Sequence, residues 1–168
     1  DELNSIAPIN YDRIYSSKGR ITLQDYGNTV VKYSLISEKY PFALVIASRG
    51  CPYNCNFCAA HTVSGKKVRT RSVENLTSEL DMLYGEGIRS FVFVDDHILH
   101  NKDITLRIMK YINSYGDAVW RAGNVAVWSL DEEILDAMLD SGCKCLVLSL
   151  ESGVERVIRD VIGKPVKL

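Results

Sequence analysis

The stretch FALVIASRGCPYNCNFCAAH, residues 42–61, opens as an apolar run and ends in a loop holding Cys51, Cys55 and Cys58. FALVIAS (42–48) has strand length, bounded by Pro41 and Gly50, and an unbroken apolar run of this kind fits a strand buried on both faces of a parallel sheet. Working outward, SFVFVDD (90–96) and CLVLSLESG (145–153) repeat the pattern. VWRAGNVAVW (119–128), interrupted by Gly123, is a fainter fourth case.

Helical periodicity fills the gaps. Ser72 caps a helix with Val73, Leu76, Leu80 and Leu83 on one face, ended by Gly85 and Gly87. Ile104, Ile108 and Tyr111 or Ile112 mark a second helix that stops near Gly116. Ser129 and Glu132 have capping-box spacing for a third, with Ile134, Leu135, Met138 and Leu139 facing inward and Gly142 ending it. Val154, Val157, Ile158 and Val161 suggest a fourth, closed by Gly163 and Pro165. Four βα units imply an α/β fold with a parallel (βα)n sheet, doubly wound or barrel-like. Upstream, RITLQD and NTVVKYSLIS flank the turn signal Tyr26-Gly27-Asn28, which predicts a hairpin. The expected organisation is a linker and β-hairpin over 1–40 and a core domain over 41–168.

Both architectures gather their chemistry at the carboxyl ends of the strands. The cysteine loop follows the first strand, Asp95 and Asp96 end the second, Asn124 lies in or near the third, and Glu151-Ser152-Gly153 ends the fourth. These groups are therefore expected at one edge of the sheet.

A net charge of −1 over 168 residues makes no electrostatic case for nucleic acid or an anionic membrane. No apolar run reaches the roughly 20 residues of a membrane helix, and the polar first thirty residues lack a signal-peptide core. Five cysteines, three of them clustered, then point to metal binding in a reducing cytoplasm. Lys66, Lys67, Arg69 and Arg71 read as a solvated basic loop. Asp95 and Asp96 could also serve as caps for the second helix.

The C-x3-C-x2-C spacing admits two metals. A cubane iron–sulfur cluster has four irons, of which this loop can ligate three, leaving one open. Cys51, Cys55, Cys58 and His61 also make a formal Cys3His zinc set, though all from one loop. Cys143 and Cys145 alternate at the amino end of the fourth strand, so their side chains are expected to face one way as small buried groups. The alternative is that they provide a fourth cluster ligand or a redox pair; a cluster closed by a fourth protein ligand would make the chain an electron-transfer module.

CPYNCNFC, with Phe57 before the last cysteine, resembles the signature of radical S-adenosylmethionine (SAM) enzymes. SGKKVRTRSVENLTSEL and DEEILDAMLDSGCKCLVLSLESGVERVIRD are similar to segments of members carrying an upstream cobalamin-binding domain. The resemblance implies a partial barrel in which Cys51, Cys55 and Cys58 bind three irons of a 4Fe-4S cluster and SAM chelates the fourth. It implies that backbone around Phe57 lies along the adenine and that Asp95 and Asp96 accept bonds from the SAM ammonium. Glu151 would face the ribose or methionyl group, and Asn124 would make a further cofactor contact. The implied reaction is reductive cleavage of SAM to a 5′-deoxyadenosyl radical, or methyl transfer with cobalamin held by a domain absent from this chain. Such clusters reach potentials as low as about −700 mV, so flavodoxin or ferredoxin is the implied electron donor. The superfamily core has six strands. Four units are therefore expected to be an incomplete core, inactive alone, with an apolar edge that invites a non-native dimer. DDHILH approaches a cobalamin-type D-x-H-x-x-G, but His100 stands at the glycine and the match reads as coincidence.

Overall fold

The structure is a computed structural model that describes residues 2–7 and 42–166. Four parallel strands, β1 (Phe42–Val45), β4 (Ser90–Phe93), β5 (Val119–Val125) and β6 (Cys143–Leu148), form a sheet in the order β1-β4-β5-β6. Two short strands, β2 (Ser48–Arg49) and β3 (Arg69–Thr70), pair antiparallel beside it. The helices are α1 (Ala60–Val63), α2 (Val73–Gly85), α3 (Lys102–Asn113) and α4 (Glu132–Asp140). The main strands follow one another in chain order without reversal, so the sheet is wound in one direction as in a partial barrel. The predicted hairpin at 20–37 lies outside the described residues, as does most of the 1–40 linker.

The helices cover one face only. Leu76, Leu80, Ile108, Met109, Ile134 and Met138 join Val45, Phe91, Phe93, Trp120, Ala122 and Val125 in one buried cluster. Phe93 and Trp120 meet edge to face with centroids 5.6 Å apart, and the Trp120 indole N–H donates to Ser141 Oγ at 3.0 Å. On the other face Phe42 and Val92 make a small separate cluster, and Leu44 is 44% exposed. The apolar runs therefore carry two-sided sequence but only one densely packed face among the described residues.

Local signals behave unevenly. Ser72 caps α2, its Oγ accepting from Asn75 N at 3.2 Å. Asn101 caps α3, so neither Asp95 nor Asp96 does. The Ser129–Glu132 box does not form. Asp131 is the cap of α4, accepting from Ile134 N at 2.9 Å, because a 3-10 turn over Val127–Ser129 carries the chain past Ser129 first. Of the four apolar residues expected to face inward from α4, Ile134 and Met138 are buried, whereas Leu135 and Leu139 are 41% and 73% exposed, since a nine-residue helix offers the sheet a narrow stripe. The fourth predicted helix is a π-helical turn, Val157–Ile162, in which Ile158 is buried and Val161 exposed, while Val154 is exposed ahead of it.

Cys143 and Cys145 do not face one way. A register shift sets Cys143 beside Trp120 and Cys145 beside Arg121, consecutive residues that point to opposite faces, and only Cys143 packs on the core. The basic run is also divided. Arg71 is held by Glu79, Asn75 and the Ile46 carbonyl, and Arg69 donates to Ser64 O at 2.9 Å, whereas Lys66 and Lys67 are exposed.

The β2–β3 ribbon matters most for function, because it closes the base of the loop over 50–68. Gly50 has φ +105°, and a Cβ there would lie 2.4 Å from the Lys67 carbonyl oxygen. Cys51 N donates to Gly65 O at 3.2 Å. The cysteine loop thus starts and ends at fixed points.

Candidate cofactor site

Cys51, Cys55, Cys58, Asp96, Asn124 and Glu151 line one cavity of about 190 Å³ at the carboxyl ends of the strands. It is assembled from the bottom up by short backbone contacts. Val94 N donates to Val45 O at 3.0 Å, carrying the β1–β4 pairing one step past the strand end. The chain then places two adjacent carboxylates in different settings. Asp95 is fully buried and accepts from Ala47 N (3.2 Å), Ser48 N and Ser48 Oγ (2.7 Å). Burial pushes its carboxyl above the ordinary range, against the pull of these donors. It lies behind the cavity wall. Asp96 is in the wall, and its Oδ2 accepts from Gly50 N at 2.9 Å, one residue before Cys51.

Burial raises the Cys51 and Cys55 thiols above their usual pKa, and at Cys55 the Lys164 ammonium opposes the rise. The Cys58 thiol accepts from Ala60 N at 3.4 Å. Phe57 lines the cavity yet is 62% exposed. His61 is exposed and does not line it, and neither do Cys143 and Cys145. Among the described residues, no three His, Cys, Asp or Glu side chains are grouped closely enough to hold a single metal ion. Three thiols around one cavity, without convergence on one point, suit a cluster in which each thiolate takes its own iron.

Asn124 and Glu151 have left-handed backbones, φ +55° and +66°. Such residues cost about 1–3 kcal/mol each and persist where surrounding structure imposes them. Asn124 is the penultimate residue of β5, and Glu151 follows the end of β6 by three residues. Glu151 is paired with Lys164, whose Nζ also donates to Ser149 O at 2.5 Å.

Several lining groups escaped the sequence reading. Tyr53 and Trp128 pack edge to face at 5.1 Å, and the Trp128 indole N–H donates to Tyr53 OH at 2.9 Å. His97 is 3% exposed with its ring 5.5 Å from Tyr53. Burial lowers its pKa to about 4, so it is neutral near pH 7. Tyr53 sat within the cysteine motif and was available to be read; Trp128 and Lys164 had no local signal.

The sequence model of the Radical SAM superfamily matches residues 45–167. The chain belongs to the radical SAM superfamily. It is 36% identical over 122 residues to cytidylyl-2-hydroxyethylphosphonate methyltransferase of Streptomyces wedmorensis, covering 72% of this chain and 23% of that protein. It is 37% identical over 130 residues to an uncharacterised methyltransferase of Pyrococcus horikoshii, covering 76% of this chain and 28% of the relative. The chain thus spans about a quarter of the length of these relatives. Among solved structures it is similar to TsrM of Kitasatospora setae, a radical SAM methyltransferase determined with cobalamin and a [4Fe-4S] cluster bound. That likeness has a TM-score of 0.65 at 15% identity and covers 71% of this chain and 22% of TsrM, so it speaks for the fold. As a radical SAM enzyme core, the chain has the parallel partial-barrel sheet expected of it, with the cysteine motif at the strand ends.

Proposed function

We propose that Cys51, Cys55 and Cys58 each ligate one iron of a 4Fe-4S cluster, and that SAM occupies the fourth iron and the cavity beside them. The observation that carries this reading is three cysteine side chains lining one cavity, with no fourth cysteine among the described residues in its wall. When bound and reduced, the cluster supplies the electron that breaks a carbon–sulfur bond of SAM. The chain's own residues bind and orient. Asp96 is positioned to accept from the SAM ammonium while holding Gly50, and Asn124 and Glu151 present polar groups from the ends of β5 and β6. Asp95 acts from behind, fixing the Ala47–Ser48 backbone that leads into the loop. Tyr53, His97 and Trp128 make an aromatic wall that excludes water. Backbone near the exposed Phe57 is available to the adenine.

For the whole protein we propose methyl transfer, in keeping with the names of its relatives, with cobalamin supplied by a domain outside this chain. The electron donor is a flavodoxin or ferredoxin. Residues 50–72 contain no Asp or Glu, and exposed Lys66 and Lys67 favour an acidic carrier. The setting is a reducing cytoplasm, which would keep these free thiols available. Isolated copies associate through β6, an edge strand among the described residues on which Val147 and Leu148 are 42% and 47% exposed. Sedimentation at rising concentration tests that point, and a monomer throughout rejects it.

The deciding experiment is anaerobic reconstitution with iron and sulfide, then EPR of the reduced protein with and without SAM. A brown protein whose signal changes on adding SAM is expected. Colourless protein with stoichiometric zinc, or a cluster signal indifferent to SAM, overturns the proposal.

A further inference from the structure

Lys164 has the least exposed ammonium in the neighbourhood of the cysteines. The residue is 7% exposed, donates to Ser149 O, and is paired with Glu151. Its Nζ lies 5.9 Å from the centroid of Phe57 and 5.8 Å from that of Trp128, within cation–π range of both rings. One side chain therefore touches the cysteine loop, the segment after β5 and the segment after β6. The turn that delivers it is itself docked on the loop. Asn56 N donates to Ile162 O at 2.9 Å, and Asn56 Nδ2 donates to Val161 O at 2.8 Å. Gly163 has φ +78°, and a Cβ there would come within 3.3 Å of the Asn54 carbonyl oxygen. Gly163 is thus required both by its left-handed backbone and by the closeness of the loop.

We infer that Lys164 is a positioning residue of this site: it braces the loop against the strand-end carboxylate of Glu151, and its charge sets how readily a cluster on that loop is reduced. The inference rests on the cluster reading given above. One-electron reduction adds a negative charge beside the thiolates. A cation held in a poorly solvated pocket stabilises the reduced form and raises the midpoint potential, and the Glu151 carboxylate partly cancels it. Removing the ammonium and removing the carboxylate should therefore act in opposite directions.

The test compares Lys164→Gln, Lys164→Arg and Glu151→Gln in the full chain, reconstituted anaerobically, by EPR-monitored redox titration without SAM. Expected are a lower midpoint for Lys164→Gln, a midpoint near wild type for Lys164→Arg, and a raised one for Glu151→Gln. A purely structural role predicts lower iron content with no change of potential in the clusters that remain. Midpoints that stay at the wild-type value in both glutamine variants, or that move the same way, overturn the charge assignment. If Lys164→Gln holds no cluster, the direction of the Glu151→Gln shift decides. The brace is read separately by hydrogen exchange on metal-free protein: Lys164→Gln should speed exchange over 54–58 and leave α2 unchanged, and equal rates reject it. Wild-type protein that takes up no cluster overturns the cluster reading and the charge assignment with it, while exchange still decides the brace.

Discussion

Asp95 and Asp96 are adjacent, identical in chemistry and different in use. The first is sealed beneath the ribbon and answers three donors; the second stands in the cavity wall. An asparagine at 95 keeps one acceptor and introduces a donor, so at least one of the N–H and O–H groups of Ala47 and Ser48 is left unpaired. Asp95→Asn should cost about 1–3 kcal/mol, measured by urea unfolding, with a larger effect than Asp96→Asn. His97 makes a prediction of pH. Its folded pKa of about 4 lies below the unfolded value near 6.5, so the unfolded chain takes up the proton first. The resulting stability is present above pH 6.5 and is lost as pH falls toward 4, a span worth roughly 3 kcal/mol. In metal-free protein, His97→Phe should flatten the unfolding free energy across that window. An unchanged slope would show that His97 is not the group responsible.

At the scale of the element, helix ends separate spacing from geometry. Ser129 and Glu132 have the spacing of a cap, but the cap's work is done by Asp131. Asp131→Ala should lower stability by about 1 kcal/mol, whereas Ser129→Ala should fall within about 0.5 kcal/mol of wild type; thermal unfolding of both variants checks this. The same lesson holds in β6. Alternation placed Cys143 and Cys145 on one face, but one extra residue in the pairing with β5 separates them. A bulge depends on the partner strand, and a single strand read alone does not display it. The π-helical turn before Gly163 is likewise tertiary: exposed Val161 within it and exposed Val154 ahead of it satisfy a helical pattern that folding does not use.

For the whole molecule, the site is where four strand ends and one loop meet, so anything bound there links β1, β4, β5 and β6. A ligand that binds only the folded state stabilises it by mass action. Removing iron anaerobically with a chelator should therefore lower the thermal midpoint of reconstituted protein. The triple variant Cys51→Ala, Cys55→Ala, Cys58→Ala should be insensitive to the same treatment. A midpoint that chelation leaves unmoved would mean the metal does not join these elements.

Much of this was legible in the chain itself. Apolar runs of strand length, caps such as Ser72 and the three cysteines are local signals, and local chemistry is enough to imply alternating strands and helices with polar groups at one sheet edge. The convergence of Asp96, Asn124 and Glu151 with the cysteines follows from strand polarity, which alternation already implies. What only the tertiary structure decided concerns contacts between residues distant in sequence. It separated Asp95 from Asp96, left His61 exposed outside the cavity wall, and brought Lys164 and Trp128 to the cavity. Burial and pairing depend on what arrives from elsewhere in the chain. A lysine between Gly163 and Pro165 looks like the end of a helix until the fold sets its ammonium between two aromatic rings and a carboxylate.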